Sequence, residues 1–357
     1  RSVEAGVFEP VETELAIDAD DVVLATGSRP LALPGNPFAG ALIDSTQALE
    51  LNTLPSSAVI IGAGAVALEF ASLWNAAGCE VTLLIRKDRV LSTWERRASM
   101  TLTRELKRRG VNVIARTAVD RVDTGANLGA TVHYRQGDSD EDRTAYGEVV
   151  LAAIGRVPNT DADWFRSSGL KLDERGYVTV DGYGRTNLDG VWALGDITPG
   201  HALAHRAFEQ GITIAEKIAG ADPKPVLDDT VPQVVFSFPE AASVGLTLDQ
   251  AKAREDVVEP KETAYPMLSN ARMLMSGEGG SMTVVSGAFA NNPDMQVVLG
   301  VHIVSPIASD LIAEAEQLVG NRVPLADAAR LIHPHPTFSE TLGEALLKAD
   351  GRPLHTR

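Results

Sequence analysis

The chain has 357 residues, which is enough for two or three domains, and 44% of them are hydrophobic and can fill the corresponding cores. Its net charge of −16 disfavours binding to nucleic acid or to an anionic membrane surface, and no apolar run approaches the length of a membrane span. The single cysteine, Cys79, excludes a structural disulfide and a zinc cluster within the chain. With no export signal at the start of the sequence, we expect a cytoplasmic protein without a metal site.

The predicted elements of the first half alternate between strands and helices, which is typical of α/β folds. After two short strands expected within residues 1–17, a buried strand is predicted at Val22–Thr26. Ala58–Ile61, Leu68–Ala77 and Glu80–Ile85 then form a strand–helix–strand unit. The elements predicted next are a helix at Arg97–Arg109, a strand at Val111–Ala115, a β-meander over Val119–Ala145 and strands at Val149–Ile154, Tyr177–Val180 and Val191–Leu194.

The second half mixes strands and helices in a different way and predicts an α+β domain. A helix is expected at Phe208–Ala219, and the acidic, proline-containing stretch Ala221–Asp229 is the best candidate for a linker. The elements predicted beyond it are strands at Val234–Phe238, Met282–Val285 and Val297–Val304 and helices at Ala308–Val319, Leu325–Ile332 and Thr337–Lys348.

A glycine-rich turn joins the first strand of the strand–helix–strand unit to its helix. Gly62, Gly64 and Ala67 occupy the three positions of the dinucleotide-binding fingerprint. Gly62 permits the tight turn, Gly64 lets the backbone approach a pyrophosphate, and Ala67 allows close packing of helix on strand. Because the helix N-terminus also offers N–H groups to an anion, the sequence predicts a nucleotide site here.

The residues after the second strand of this unit indicate which nucleotide binds. An NAD site normally has an Asp or Glu there for the ribose hydroxyls, whereas this strand is followed by Arg86, Lys87, Asp88 and Arg89. A guanidinium suits a 2′-phosphate, so NADP is favoured over NAD, with Arg86 as the main contact and Lys87 or Arg89 assisting. The alternative is an exposed basic turn without a ligand.

Close to the C-terminus, His335 and Glu340 stand five residues apart across Pro336. The proline favours an extended backbone at His335, and Glu340 is expected in the first turn of the following helix. From there its carboxylate can reach one imidazole nitrogen, fix the tautomer and leave the other nitrogen as a general base. The alternative is an exposed histidine in a proline-rich turn. His333 is expected to be a neighbour of this pair and not a base.

Six further motifs occur along the chain in this order: Ala25–Pro30, Gly155–Asn159, Thr186–Asp196, Ala202–His205, Pro232–Gly245 and His335–Glu340. Together with the nucleotide fingerprint, this series resembles the class I pyridine nucleotide–disulfide oxidoreductases, a family that includes dihydrolipoamide dehydrogenase, glutathione reductase and mercuric reductase. The resemblance covers essentially the whole chain.

The resemblance implies a three-domain architecture and a homodimer. Residues 1–52 and 153–226 would form a Rossmann-like, N-terminally truncated FAD-binding domain, and residues 53–152 a Rossmann-like NAD(P)-binding domain. Residues 227–357 would form an α+β dimerisation domain. In the homodimer, His335 would serve the active site of the partner subunit.

The same resemblance implies a set of FAD contacts. Asp196 would accept a hydrogen bond from the ribityl chain, although on its own it could equally cap a helix. Thr26 and Gly27 would lie near the FAD pyrophosphate. The backbone positions that lie against the flavin or complete this site would be Ala202, Leu203, Ala204, Gly155 and Gly195.

The resemblance also implies roles for two residues that follow the Gly62–Gly64 turn. Glu69 would help to organise the contact between nicotinamide and flavin. Family members often have a bulky residue over the flavin at the position of Ala65, so the alanine of this chain implies a more open nicotinamide pocket.

One departure from the family pattern concerns the redox centre. The family uses a pair of redox-active cysteines after an N-terminal glycine motif, and this chain has neither. Cys79 does not substitute for them, because it stands at the start of the second strand of the nucleotide unit, where a small buried cysteine is ordinary. The simplest expectation is that roughly 100 residues are missing from the N-terminus.

The predicted protein is therefore an enzyme, an FAD-dependent NAD(P)H:disulfide oxidoreductase of the dihydrolipoamide dehydrogenase type with a role in redox homeostasis. Hydride would pass between nicotinamide and FAD, and electrons between FAD and a cysteine disulfide, while His335 moves the proton of a small thiol or lipoyl substrate. The absence of cysteines after Cys79 argues against mercuric reductase and the large thioredoxin reductases. The alternatives are an NADPH-dependent disulfide or quinone reductase of the glutathione reductase type, and a catalytically incomplete nucleotide-binding fragment.

Overall fold

A computed structural model describes residues 17–125 and 129–356 of the protein. The two strands expected within residues 1–17 fall outside these ranges, apart from Ile17. The described strands are β1 (Val22–Leu24), β2 (Ser28–Pro30), β3 (Leu42–Ile43), β4 (Ser57–Ile61), β5 (Glu80–Ile85), β6 (Asn112–Ala115), β7 (Thr117–Thr124), β8 (Ala130–Gln136), β9 (Arg143–Gly147), β10 (Val149–Ala152), β11 (Arg156–Pro158), β12 (Val191–Ala193), β13 (Gln233–Val235), β14 (Glu240–Gly245), β15 (Val257–Tyr265), β16 (Ser281–Phe289) and β17 (Asn292–Ser305).

The described helices are α1 (Ser45–Leu49), α2 (Ala65–Ala76), α3 (Arg96–Arg108), α4 (Asp163–Ser167), α5 (Ala204–Ile218), α6 (Leu248–Ala253), α7 (Ala271–Ser276), α8 (Ala308–Gly320), α9 (Leu325–Ala328) and α10 (Glu340–Ala349). The chain divides into two compact units, one of residues 1–27 and 160–225 and the other of residues 28–159 and 226–357. The three-domain boundaries given above stay a prediction. Within the described ranges, no helix combines the length and the apolar character needed to cross a membrane.

The first unit contains a parallel pair of strands, β1 and β12, in which Leu24 lies opposite Ala193. Phe165, Val178 and Ile197 are almost fully buried and form its core beside this pair. The long helix α5 begins at Ala204, four residues earlier than the sequence predicts.

The half of the second unit that contains the Gly62–Gly64 turn is a five-stranded parallel sheet in the order β3-β10-β4-β5-β6. Its central strands β4 and β5 are apolar along nearly their whole length because helices and the meander cover both faces. The predicted strand–helix–strand unit is confirmed as β4, α2 and β5. The predicted meander is confirmed as the antiparallel sheet β7-β8-β9.

The other half of the second unit is an antiparallel sheet in the order β13-β14-β17-β16-β15. Helices α8 and α10 cover this sheet, and Val284, Val301 and Leu346 are fully buried between the layers. Strands and helices are segregated here, so the prediction of an α+β arrangement is confirmed.

The predicted strand at Tyr177–Val180 is wrong. Only an isolated bridge joins Leu172 to Val178, because the Asp173 side chain accepts the N–H groups of Arg175 and Tyr177 and folds the backbone into a turn. Asp181 does the same for Tyr183 and Arg185 just downstream. Side-chain turns of this kind replace the ladder that the apolar pattern favours.

Several boundaries differ from the prediction, and three of them lie near the candidate site. Strand β13 ends at Val235 instead of Phe238, because the next N–H groups donate to side chains of α2. Helix α9 ends at Ala328, and Leu331 and Ile332 are exposed in the loop that leads to Pro334. Helix α10 begins at Glu340 with Ser339 as its N-cap, three residues later than predicted.

Candidate active site

The turn after β4 requires a glycine at its first position. Gly62 has φ of +143°, and a Cβ there would overlap the carbonyl oxygen of Ala153 and lie 3.3 Å from Cβ of Ala67. A side chain at Gly62 would therefore strain the backbone and push α2 away from the sheet. Ala67 is fully buried at that contact, as expected for the close approach of helix to strand.

Gly64 has a different reason to be glycine. It is the N-cap of α2 with φ of −90°, its side-chain position has no atom within 4 Å, and no side chain caps the helix. The first N–H groups of α2, beginning with Ala65, thus face open space that a pyrophosphate can enter. These residues fit a dinucleotide.

Three turns meet at the carboxyl edge of the parallel sheet. Strands β10 and β5 flank β4, so Gly155, the Gly62–Gly64 turn and Arg86 follow neighbouring strands at the same edge. The chain order reverses between β10 and β4, and such a switch point is where open α/β sheets bind their ligands.

The basic turn after β5 is exposed and only partly engaged. Arg89 pairs with Asp88 at 3.0 Å and donates to the Ser92 carbonyl at 3.2 Å. Arg86 and Lys87 are exposed, and neither forms an ion pair with any residue in the described ranges. These two side chains are therefore available to an anionic ligand, whereas Arg89 is held by its own turn.

Glu69, on the second turn of α2, has one oxygen engaged. Its Oε1 accepts the N–H of Phe236 at 3.0 Å, and Ser72 one turn later accepts the N–H of Phe238 at 3.1 Å. Helix α2 thus connects the nucleotide turn to the segment between β13 and β14.

In the first unit, the predicted FAD residues follow two adjacent parallel strands. Thr26 and Gly27 come after β1, and Gly195 and Asp196 come after β12. The strands pair in parallel, and Leu194 N–H donates to the Leu24 carbonyl at 3.1 Å, so both turns lie at one carboxyl edge.

Helix α5 follows the Gly195–Asp196 turn in the chain and contacts it in the structure. Its N-cap is Leu203, no side chain caps it, and Ala202 and Ala204 on either side are exposed. Gly195 adopts φ of +69° and its N–H donates to Gln210 of α5 at 2.9 Å. Small exposed residues beside an uncapped helix N-terminus fit a flat, phosphate-bearing cofactor such as FAD.

His335 and Glu340 form the pair that their spacing predicts. Glu340 Oε1 lies 2.8 Å from His335 Nδ1, and Glu340 Oε2 accepts the N–H of Thr337 at 2.7 Å. Partial burial would raise the pKa of Glu340, but the hydrogen bonds from Thr337 and His335 outweigh it and hold that pKa below its usual value. The ionised carboxylate selects the Nδ1–H tautomer, which leaves Nε2 of the exposed imidazole as proton acceptor.

His333 forms a separate pair, with Glu314 of α8. Its Nε2 lies 2.9 Å from Glu314 Oε1 of α8, and its side chain is nearly buried. The hydrogen bond with Glu314 raises the pKa of His333, and burial opposes this only in part. The expectation that His333 is a structural neighbour agrees with this placement.

Cys79 has the properties of a structural residue. It is 4% exposed, and burial, followed by the charges of Glu148 and Glu80, raises its pKa to about 11. At neutral pH it is a thiol and not a thiolate, so it has no nucleophilic character.

Sequence reasoning missed Asn270, which lies next to the His335 loop. Asn270 is 6% exposed and its Nδ2 donates to the Thr337 carbonyl at 3.0 Å. The signal available in the sequence is an asparagine directly before α7, which predicts an N-cap but no partner 67 residues away.

Two family profiles cover most of the chain. Residues 4–211 match "Pyridine nucleotide-disulphide oxidoreductase", and residues 231–346 match the dimerisation domain of the same group. The chain belongs to the pyridine nucleotide-disulphide oxidoreductase family. Members of this family use FAD and NAD(P)H, and the predicted class of enzyme, an FAD-dependent disulfide oxidoreductase, is confirmed. The dimerisation match supports a homodimer.

Curated relatives and solved structures agree with this assignment. The chain is 36% identical to a dihydrolipoyl dehydrogenase of Cupriavidus necator, covering 95% of this chain and 70% of the relative. A dihydrolipoyl dehydrogenase of Geobacillus stearothermophilus is 37% identical, with 94% and 69% covered. The crystal structure of LpdA from Mycobacterium tuberculosis superimposes with a TM-score of 0.81 at 29% identity, covering 93% of this chain and 70% of that one.

Proposed function

We propose that this family member catalyses thiol–disulfide exchange of the dihydrolipoyl dehydrogenase type, with a small dithiol such as a lipoyl group as substrate and His335 as general base. The supporting observation is the 2.8 Å contact between His335 Nδ1 and an ionised Glu340. It leaves Nε2 to take the proton of one substrate thiol, and the resulting thiolate would attack one sulfur of the cysteine disulfide that the family uses and displace the other sulfur as a thiolate. The relatives named dihydrolipoyl dehydrogenase support the lipoyl substrate.

The exposure of His335 supports an action on a partner subunit. Its side chain is 75% exposed, and Ile332 in the same loop is 96% exposed. Both side chains point away from the core of their own subunit. Such an arrangement suits a subunit interface, where Ile332 would be buried. We therefore propose that His335 serves the partner's site in the homodimer.

The cofactor residues have distinct proposed tasks. Gly62, Gly64 and the first turn of α2 bind the pyrophosphate of NADP, and Arg86 with Lys87 binds its 2′-phosphate. Asp196 and the turn at Thr26–Gly27 hold FAD, with Ala202–Ala204 against the flavin. FAD, when bound, passes electrons between the nicotinamide and a disulfide.

The alternative function is an NADPH-dependent disulfide or quinone reductase of the glutathione reductase type. Its specific support is the exposed guanidinium of Arg86, which forms no ion pair among the described residues and stands where an NAD enzyme has a carboxylate. A nucleotide-binding fragment without disulfide chemistry is the third candidate, supported by a sequence with no cysteine besides Cys79.

One set of measurements separates these candidates. In the protein that also carries the family's cysteine pair, flavin absorbance bands and lipoamide-dependent turnover support the main proposal, and His335→Ala should then lower turnover by about 100-fold or more while the flavin spectrum stays the same. Flavin-bound protein that reduces quinones but not lipoamide supports the alternative. A colourless protein that binds NADPH supports the fragment. Turnover by His335→Ala at the rate of the unaltered protein would remove His335 from the mechanism.

A further inference from the structure

Thr337 is the centre of the loop that carries His335. Its N–H donates to Glu340 Oε2 at 2.7 Å, and its hydroxyl donates to the Pro334 carbonyl at 2.7 Å and lies 2.8 Å from Ser339 Oγ. All of these contacts lie within the loop and the first turn of α10. They define the shape of the loop but do not attach it to the rest of the fold.

Asn270 supplies a polar attachment from another part of the chain. Its Nδ2 donates to the Thr337 carbonyl at 3.0 Å, while its Oδ1 accepts the N–H of Met273 at 3.1 Å and caps α7. Met273 is fully buried in the core beside the antiparallel sheet β13-β14-β17-β16-β15, so the N-terminus of α7, where Asn270 lies, is anchored in that core. The peptide units on both sides of Thr337 are thus held, one by Glu340 and the other by Asn270.

A second contact from α7 has the same effect. The guanidinium of Arg272 lies over the ring of Phe338 at 5.3 Å, one residue after Thr337. His335 itself is 75% exposed and receives little packing support, so its position depends on its hydrogen bond to Glu340. The Thr337 N–H donates to Glu340 Oε2, and this hydrogen bond fixes the orientation of the carboxylate and therefore the position of Oε1.

We propose that Asn270 is a positioning residue that aligns the His335–Glu340 pair through the Thr337 peptide. This inference rests on the proposed function of His335. Asn270 does not touch the imidazole or the carboxylate. Asn270 holds the Thr337 carbonyl and so fixes the orientation of Thr337. The N–H of Thr337 in turn sets the position of the Glu340 carboxylate relative to Nδ1 of His335.

The variant that isolates this contact is Asn270→Asp. Aspartate keeps the oxygen that accepts the Met273 N–H and therefore keeps the cap of α7. It lacks the N–H donor for the Thr337 carbonyl and sets a carboxylate oxygen against it. Asn270→Ser is the second variant, because serine also caps a helix but is too short to reach Thr337, and it serves if the aspartate protein does not fold.

Asn321→Asp is the matched control in the same domain. Asn321 Nδ2 donates to the Gln317 carbonyl at 2.9 Å at the end of α8, and among the described residues its side chain forms no hydrogen bond with the loop that carries His335. The substitution deletes the same kind of hydrogen bond, from an amide to a backbone carbonyl, and leaves Thr337 unchanged. It measures the cost of such a loss at an exposed position outside the loop.

The decisive readout is the ¹⁵N spectrum of the His335 imidazole, assigned by comparison with His335→Ala. In the unaltered protein the two ring nitrogens of the neutral imidazole should have widely separated resonances, as expected for a single Nδ1–H tautomer. In Asn270→Asp the two resonances should move towards each other because the tautomers exchange. In Asn321→Asp they should stay separated.

The kinetic readout is a loss of kcat for dithiol turnover of about 10- to 100-fold in Asn270→Asp, with the KM for the nicotinamide nucleotide unchanged. Separated imidazole resonances together with an unaltered kcat would overturn the proposal. Failure of the proposed function gives a different result, since His335→Ala would then keep full turnover while the imidazole resonances still respond to Asn270→Asp.

Discussion

The imidazole of His333 lies directly against Gly343 of α10, so that a Cβ at Gly343 would come within 2.5 Å of His333 Nδ1. The opposite ring nitrogen is 2.9 Å from Glu314 of α8. His333 therefore fills the space between two helices, two residues before the proposed base. Because Gly343 has no side chain, the imidazole of His333 fits between α8 and α10.

Gly343→Ala should destabilise the protein by about 1–2 kcal/mol in urea unfolding. The new methyl group would displace His333, at a cost typical of overpacking, and the higher helix propensity of alanine would recover only part of it. Gly211→Ala in α5 is the control, because a Cβ there meets only Leu194 at 3.8 Å, and it should be neutral or stabilising. Equal effects of the two substitutions would contradict the contact with His333.

The His333–Glu314 pair should make stability depend on pH. The pKa of His333 is raised in the folded protein above its unfolded value of about 6.5, so its contribution is fully present below that value and is lost as the pH rises through the folded pKa. His333→Gln should therefore cost more stability at pH 5.5 than at pH 8.5. Urea unfolding of both proteins at the two pH values measures this, and a cost that grows with pH would refute it.

Gly62→Ala and Gly64→Ala should have separable effects. A Cβ at Gly62 overlaps the Ala153 carbonyl at φ of +143°, so Gly62→Ala should lower the free energy of unfolding by about 2 kcal/mol or more. A Cβ at Gly64 meets nothing within 4 Å, so Gly64→Ala should keep the stability but weaken NADPH binding, since the methyl group stands where the pyrophosphate approaches. Thermal unfolding and NADPH titration of both variants test this, and normal binding by Gly64→Ala would refute the placement.

Arg86→Glu should change the preferred nucleotide from NADPH to NADH. A carboxylate at this position repels the 2′-phosphate and can bind the ribose hydroxyls instead, so the affinity for NADPH should fall by about 10- to 100-fold. Lys107→Glu is a control of equal charge change on the exposed side of α3. Nucleotide titrations with both coenzymes decide the question, and an unchanged preference would show that Arg86 does not contact the phosphate.

Local patterns predicted the local structure of the candidate nucleotide site. The turn at Gly62–Gly64 and the strand Glu80–Ile85 depend on backbone conformation and apolar runs that are encoded within a few residues. The contact between His335 and Glu340 was predictable for the same reason, because both residues lie in one short segment.

The misses at Tyr177–Val180 and at the end of β13 share a physical cause, which is competition from side chains for backbone hydrogen bonds. Asp173 turned a predicted strand into a loop, and Glu69 and Ser72 ended β13 early by accepting N–H groups that a neighbouring strand would otherwise take. Asn270 was missed because its partner is distant in sequence. Contacts of this kind depend on the tertiary fold and leave no periodic trace in the sequence.

The two hydrogen bonds from α2 to the Phe236–Phe238 segment matter for anyone who wants to engineer coenzyme use by exchanging modules. Helix α2 starts at the nucleotide turn, yet Glu69 and Ser72 hold backbone N–H groups that belong to the segment after β13. A chimera joined at the boundary between the two family profiles would place a foreign helix against native Phe236 and Phe238, and a helix without acceptor side chains at positions 69 and 72 would leave their N–H groups unsatisfied. A working graft must therefore carry residues 236–238 together with the nucleotide-binding segment.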